Sequence, residues 1–324
     1  ELNVPIPFSL VSNSLDNKEL HIMPGYWFSY NLYALARNSE KYVDRDRRMD
    51  KSIYLEYDFL APDTINEMTR GLEILESSVG HAFKLRTKKS PTKSSMEVGR
   101  NELLAAAKWI EVTSIYLNNI ENSKRLVKLL KVQAAYANFR KLISYYCVRE
   151  LIELTRANKN YLESLQALLQ KNKNKREEWI NAGGQLVRKK ALEQLKSLIK
   201  IGKIKSWDEV HQWYQQQSKK YKYDKLNHAA AVLLEITRIA PHQLNKKKLI
   251  ALLEDANETE NWIANQITLS RQKDYLNPFR KMLYETDTEM REVIGTLEEN
   301  PFIQKQNEKR QQFARQIEFI KGLL

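Results

Sequence analysis

One cysteine, nine glycines and eight prolines are all that 324 residues hold of the types that most often staple or punctuate a chain. The single Cys147 excludes an internal disulfide and a cysteine-rich zinc cluster. It lies in LISYYCVREL, an apolar-rich helical pattern with no charged motif that would favour a thiolate. No apolar run approaches the roughly 18 residues of a membrane span. The HExxH, Walker, GxGxxG and GxSxG patterns are all missing, so metalloprotease, phosphate-loop, dinucleotide and serine-elbow chemistries have no signature here. The histidines (His21, His81, His211, His228 and His242) are isolated from one another in sequence. His211 follows Asp208 and Glu209, yet has no second histidine at helical distance, and no metal site is expected.

What is abundant is Leu, Ala, Lys, Glu, Gln and Asn in long stretches, the composition of a helical protein. The fold class expected is all-α: an irregular multi-helix array with a short extended N-terminal leader and no fixed-period repeat. Three regions are expected. An extended leader covers 1–22, a helical region around an aromatic helix covers 23–180, and a C-terminal helical region packed on it covers 181–324. Glu1 opens the chain and ELNVPIPFSLV lacks the charged and apolar regions of a signal peptide, so the chain reads as a piece of a longer protein. With one cysteine and no membrane span, a reducing, cytoplasmic setting is expected.

The formal net charge of +13 directs attention to where the cations lie. They cluster at Lys84–Lys93, Lys171–Arg176, Arg188–Lys190, Lys219–Lys225 and Lys246–Lys248, at expected helix ends and connections. No recognition-helix or RNA-binding motif accompanies them, so specific nucleic-acid binding is not expected. Nonspecific adhesion through these clusters is the weaker alternative.

The stretch His21–Asn38, HIMPGYWFSYNLYALARN, organises the rest. Pro24 suits a first helical turn, and a helix is expected from about Pro24 to Arg37. At about 100° per residue, Tyr26, Tyr30, Tyr33 and Arg37 share one stripe and Trp27, Asn31, Ala34 and Asn38 a second, while Phe28, Leu32 and Leu35 form a third. No face is left for water. The phenols, amides and guanidinium then need partners, from neighbouring helices or from a ligand.

Around this helix, PIPFSLV reads as an extended segment with no partner strand evident in the chain, and SIYLEYDFL as a short strand or strap. Helices are expected over 97–121, 123–158, 161–170 and 175–181, the last stopping before Gly183-Gly184. That glycine pair reads as a helix–helix turn, or less readily as a phosphate cradle. Ser206 and Glu209 form a capping box for the helix that follows. Further helices are expected over 224–239, 245–255, 257–275, 278–297 and 301–323. A second polar concentration, SRQKDYLNPFR, gathers Arg271, Asp274, Asn277 and Arg280 at a helix junction, where arginines can pin a carboxylate or phosphate or lock onto Asp274.

With PFSLVSNSLDN before the aromatic stretch and YDFLAPDTI after it, and on through SRQKDYLNPFR, the sequence resembles the C-terminal part of a family of uncharacterised bacterial proteins. In that family an N-terminal left-handed parallel β-helix of the hexapeptide acyltransferase and nucleotidyltransferase type precedes a long helical region. The resemblance implies that PIPFSLV is the exit from the β-helix, that this upstream domain is the chain's partner, and that sugar-nucleotide or acyl chemistry resides there. The expected role is a helical accessory region, possible as a homo-oligomer, lining a pocket for a phosphate- or carboxylate-bearing sugar or nucleotide. The expected ligand-binding residues are His21, Tyr26, Trp27, Tyr30, Asn31, Arg37, Asn38, Arg271, Asp274, Asn277 and Arg280. No cofactor or catalytic residue is indicated, and the competing reading is a structural or oligomerisation module without a ligand.

Overall fold

A computed structural model of the chain describes residues 4–16, 18–88, 93–108, 110–113, 126–156 and 160–324. Two compact units emerge: Glu1–Leu32 with Glu67–Leu142, and Tyr33–Asn66 with Ile143–Leu324. Helices dominate both, but the chain is not all-α, because two small sheets are present. The first sheet answers the question of the orphan leader. Strand β1 (Leu10–Asn13) pairs antiparallel with β2 (Glu19–Met23), which in turn runs parallel to β4 (Leu126–Leu129), and β3 (Val112–Thr113) closes the order β1-β2-β4-β3. The end of PIPFSLV thus finds its partner in the adjacent β2, and β2 finds a second one, β4, about a hundred residues downstream inside a span expected to be helical. Alternation explains the pairing: Leu20 and Ile22 on β2 and Val127 and Leu129 on β4 are all buried, as period-two strands require.

The expected aromatic helix is two helices. Gly25 takes the left-handed conformation and caps α1 (Tyr26–Tyr30), Asn31 leaves helical space at φ −146°, and α2 (Leu32–Arg45) follows. Asparagine is a poor interior helix residue, so the break falls where propensity is weakest. In the first unit Phe28 packs between Phe8 and Phe139, with ring centroids 4.5 and 6.1 Å away. Helices α3 (Pro62–Thr87) and α4 (Ser95–Leu104) approach so closely that a Cβ on Gly80 would lie 1.8 Å from the Ser95 carbonyl oxygen, and one on Gly99 1.8 Å from that of Glu76. The buried Glu76 carboxylate accepts from Arg100 at 2.8 Å and from Tyr136 at 2.7 Å, the latter on α5 (Val132–Leu151). The helix expected over 97–121 ends at Leu104, and residues 109 and 114–121 of that span, like 89–92 between α3 and α4, lie outside the described residues.

In the second unit, α6 (Tyr161–Asn172) is followed by a hairpin in place of the helix expected at 175–181. Strands β5 (Trp179–Ala182) and β6 (Gln185–Arg188) are joined by Gly183 and Gly184, at φ 65° and 96°. A two-residue hairpin loop demands positive φ, which glycine supplies without a steric cost. Next come α7 (Lys189–Lys200) and α8 (Trp207–Thr237), whose start carries the expected Ser206/Glu209 capping box. Helix α8 then continues unbroken through the position where a separate helix was expected. The two helices expected over 245–275 are likewise one, α9 (Lys246–Leu276), since no residue between them breaks the pattern. The span expected as 278–297 is two short helices, α10 (Pro278–Lys281) and α11 (Asp287–Ile294), because Thr286 caps a fresh start. Helix α12 (Pro301–Leu323) ends the chain and packs along α9. No helix among the described residues is long and apolar enough to cross a membrane.

Candidate functional site

The second unit holds a cavity of about 820 Å³. Its walls are one stripe of α2, the segment 53–60, the C-terminal half of α5, α9 and α12, with Lys225 of α8. The α2 stripe is Ala36, Ser39, Glu40, Val43 and Asp44, a spacing that puts all five on one helical face. The segment 53–60 carries no regular secondary structure and is the strap that SIYLEYDFL suggested. Side chains tie it down: Arg48 donates to the Ile53 carbonyl at 2.8 Å and Arg149 to that of Leu60 at 3.1 Å.

Period two along the strap puts Glu56 and Asp58 on the same side, where two cations meet them. Lys225 Nζ lies 3.0 Å from Glu56 and 3.2 Å from Glu150, and Arg149 lies 2.7 Å from Asp58 and 2.9 Å from Glu150. Tyr221, one turn before Lys225 on α8, donates its hydroxyl to Glu56, and its own ionisation is pushed strongly upward by burial and by that carboxylate. On α5, Tyr145 donates to Glu260 of α9. Desolvation raises the Glu260 pKa against the lowering effect of that bond and of the Arg149 charge. Glu40 pairs with Lys305 of α12, while its second oxygen is buried without a hydrogen-bond partner. The rim on α12 presents exposed Lys309, Gln312 and Gln316 at helical spacing.

Behind this wall His228 is a fixed neutral group. Asn66 spends its amide on the Glu177 carbonyl and its oxygen accepts from Arg176, so His228 Nε2 donates to that oxygen at 3.0 Å and Nδ1 accepts from Tyr146 at 3.1 Å. Burial, with the Arg176 and Lys225 charges, pulls its pKa down to about 3. Cys147 is buried too, and burial pushes its thiol upward.

None of the residues singled out in the sequence lines this cavity. His21 sits on β2, 3.0 Å from Glu19. Tyr26 and Tyr30 stack at 5.2 Å, Lys131 reaches the Tyr30 hydroxyl, and Trp27 is partly exposed beside Tyr26. Asn31 is the break after α1, and Asn38 is exposed. In the second unit the structure brings Tyr33 to the 270–280 junction and Arg37 to the start of α12. Arg271 lies over the Tyr33 ring at 5.2 Å, the Tyr33 N–H donates to Ser270 at 2.8 Å, and Arg37 lies over Phe302 at 5.6 Å. Both junction arginines turn to Asp274, Arg280 at 3.3 Å, and Asn277 caps α10. The junction is thus locked onto Asp274, while Arg271 Nε and Arg280 Nη1 are buried there with no hydrogen-bond partner among the described residues.

The cavity residues that went unnoticed are Glu40, Glu56, Asp58, Tyr145, Arg149, Lys225 and Glu260. A signal existed for several: Glu260 falls in register with Ile263 and Ile267, and Lys225 with Tyr221 and His228, a charge set on an otherwise core-facing stripe.

Residues 160–320, within the second unit, match the model of a family described as "Domain of unknown function (DUF6819)". Over 312 residues the chain is 33% identical to an uncharacterized protein of Treponema pallidum (strain Nichols), in a match covering 95% of this chain and 41% of that protein. The chain therefore spans about two fifths of the length of that relative. No solved structure matches the chain.

Proposed function

We propose that the second unit is a ligand-binding region of a larger, transferase-like cytoplasmic protein and that its cavity takes a polar, ring-bearing small molecule of the sugar or nucleotide class. The observation that carries this reading is the cavity itself. Its volume lies within the roughly 300–1,000 Å³ of small-molecule sites, and its lining combines aromatic rings with convergent polar groups. Tyr54, Tyr57 and Phe313 supply the rings, and Glu40, Glu260 and the α12 amides the polar groups. A raised pKa at a cavity-lining carboxyl is also more frequent at functional sites than elsewhere. The length of the Treponema relative leaves room in that protein for further domains, in keeping with an accessory role beside a β-helix.

A thermal-shift panel of neutral sugars, sugar phosphates, nucleotides and coenzyme A tests this reading. A compound at about 100 times its Kd stabilises the fold by roughly 2.7 kcal/mol. The shift is expected to vanish in Gln312→Trp, which places an indole across the rim. No shift with any compound favours the structural module, in which the paired charges serve only to hold the strap.

A further inference from the structure

We infer that the cavity is built for a neutral, hydroxyl-rich sugar rather than for a phosphate- or carboxylate-bearing one, an inference that rests on reading the cavity as a ligand site. The charges lining it balance, with six carboxylates against six cations. Four of the cations already have partners: Arg149 holds Asp58 and Glu150, Lys225 holds Glu56 and Glu150, Arg48 holds Asp46 at 2.8 Å, and Lys305, itself half-exposed, holds the mostly buried Glu40. An entering anion would have to pull one of these away and leave a buried carboxylate unpaired, which is strongly unfavourable. Lys51 and Lys309 are exposed, where an ion pair contributes little.

What the cavity still offers is different in kind. One Glu40 oxygen lacks a donor, and Tyr145 occupies one oxygen of Glu260 and leaves the other. The phenols of Tyr54 and Tyr57 and the amides of Gln312 and Gln316 can donate as well as accept. A sugar hydroxyl also does both, so a ring carrying several of them matches this set group by group. Tyr54 stacks on Tyr221 at 4.8 Å and Tyr57 on Tyr42 at 5.7 Å, which fixes two rings of the strap as rigid walls for the apolar faces of a pyranose.

Isothermal titration of the full chain with glucose, galactose, mannose, N-acetylglucosamine, maltose and cellobiose, beside glucose 6-phosphate, mannose 6-phosphate and UDP-glucose, tests the inference. The expected result is binding of at least one neutral sugar, no tighter binding of a phosphorylated counterpart, and at least tenfold weakening in Glu260→Gln or Glu40→Ala. Should either variant fail to fold, as judged by its melting curve, Gln312→Trp is expected to abolish the same binding. Tighter binding of the phosphates or of UDP-glucose, lost in Lys309→Met, overturns the neutral-sugar inference while keeping the cavity as a ligand site. Neutral-sugar binding that survives all three cavity variants overturns it as well, and no binding by any compound overturns both readings.

Discussion

Lys225 Nζ stands 3.0 Å from the Glu56 carboxylate, and the Lys225 side chain is only 11% exposed and that of Glu56 only 5%. One strand-like strap is thereby anchored to one long helix through a buried ion pair that also receives the Tyr221 hydroxyl. Breaking such a pair from one side leaves the other charge stranded. Lys225→Met is expected to destabilise the second unit by about 3 kcal/mol or more, while Lys225→Met combined with Glu56→Gln recovers part of the loss. Urea unfolding of the two variants and the wild type, compared at constant slope, checks this.

His228 links stability to pH. Its folded-state pKa is about 3, against an ordinary value of 6.5, so between these limits the unfolded chain binds a proton that the folded chain refuses. Stability therefore falls as pH drops below about 6.5, and continues to fall until about pH 3. From pH 7 to pH 5 the loss from this group alone is about 2 kcal/mol. His228→Gln is expected to flatten the pH dependence over that interval, and urea midpoints at the two pH values measure it. An unchanged slope in the variant would show that other groups carry the acid sensitivity.

Glu260 runs in the opposite sense. Burial raises its pKa, so its ionisation weakens the fold as pH rises through and above the ordinary carboxylate range. Glu260→Gln keeps an acceptor for the Tyr145 hydroxyl and removes that cost. The variant is expected to melt no lower than the wild type at pH 7, and relatively lower at pH 4. A clear loss at pH 7 would mean that the Glu260 charge is itself part of a stabilising pair.

The approach of α3 and α4 leaves no room for a methyl group. A Cβ at Gly80 or Gly99 would meet a backbone carbonyl at 1.8 Å, and backbone cannot rotate away as a side chain can. Either glycine to alanine is expected to cost about 3 kcal/mol, at the upper end of overpacking effects, although alanine is the better helix former. Thermal melting decides the matter: a rise in Tm for either variant would show that the helices can separate without penalty.

Much of the helical framework was legible because its signals are local. Ser206 with Glu209 marks the start of α8, and helices begin at Pro278 and Pro301, where they were expected to begin. The sheets were not legible in the same way. Strand β2 needs Val127 and Leu129, about a hundred residues away, and four-residue strands carry too few alternating positions to stand out from helical surroundings. The candidate site was hidden for a related reason. The aromatic stretch drew attention because its polar groups are dense in sequence, whereas the cavity gathers its lining from segments spread between Ala36 and Gln316. Glu260 among Ile263 and Ile267 looks like an ordinary helix residue until α5 brings Tyr145 against it. Arg271, Asp274 and Arg280, by contrast, are close in sequence and pair with one another locally, so that cluster could be read from the sequence alone.

Hydrogen–deuterium exchange, with and without a neutral sugar that raises the melting temperature, tests the central claim most directly. Slower exchange is predicted in the strap 53–60 and along α12 from Lys305 to Gln316, with little change over 21–38 or 271–280. Protection centred on the 271–280 junction, or spread evenly over the chain, would contradict a ligand site in the cavity of the second unit.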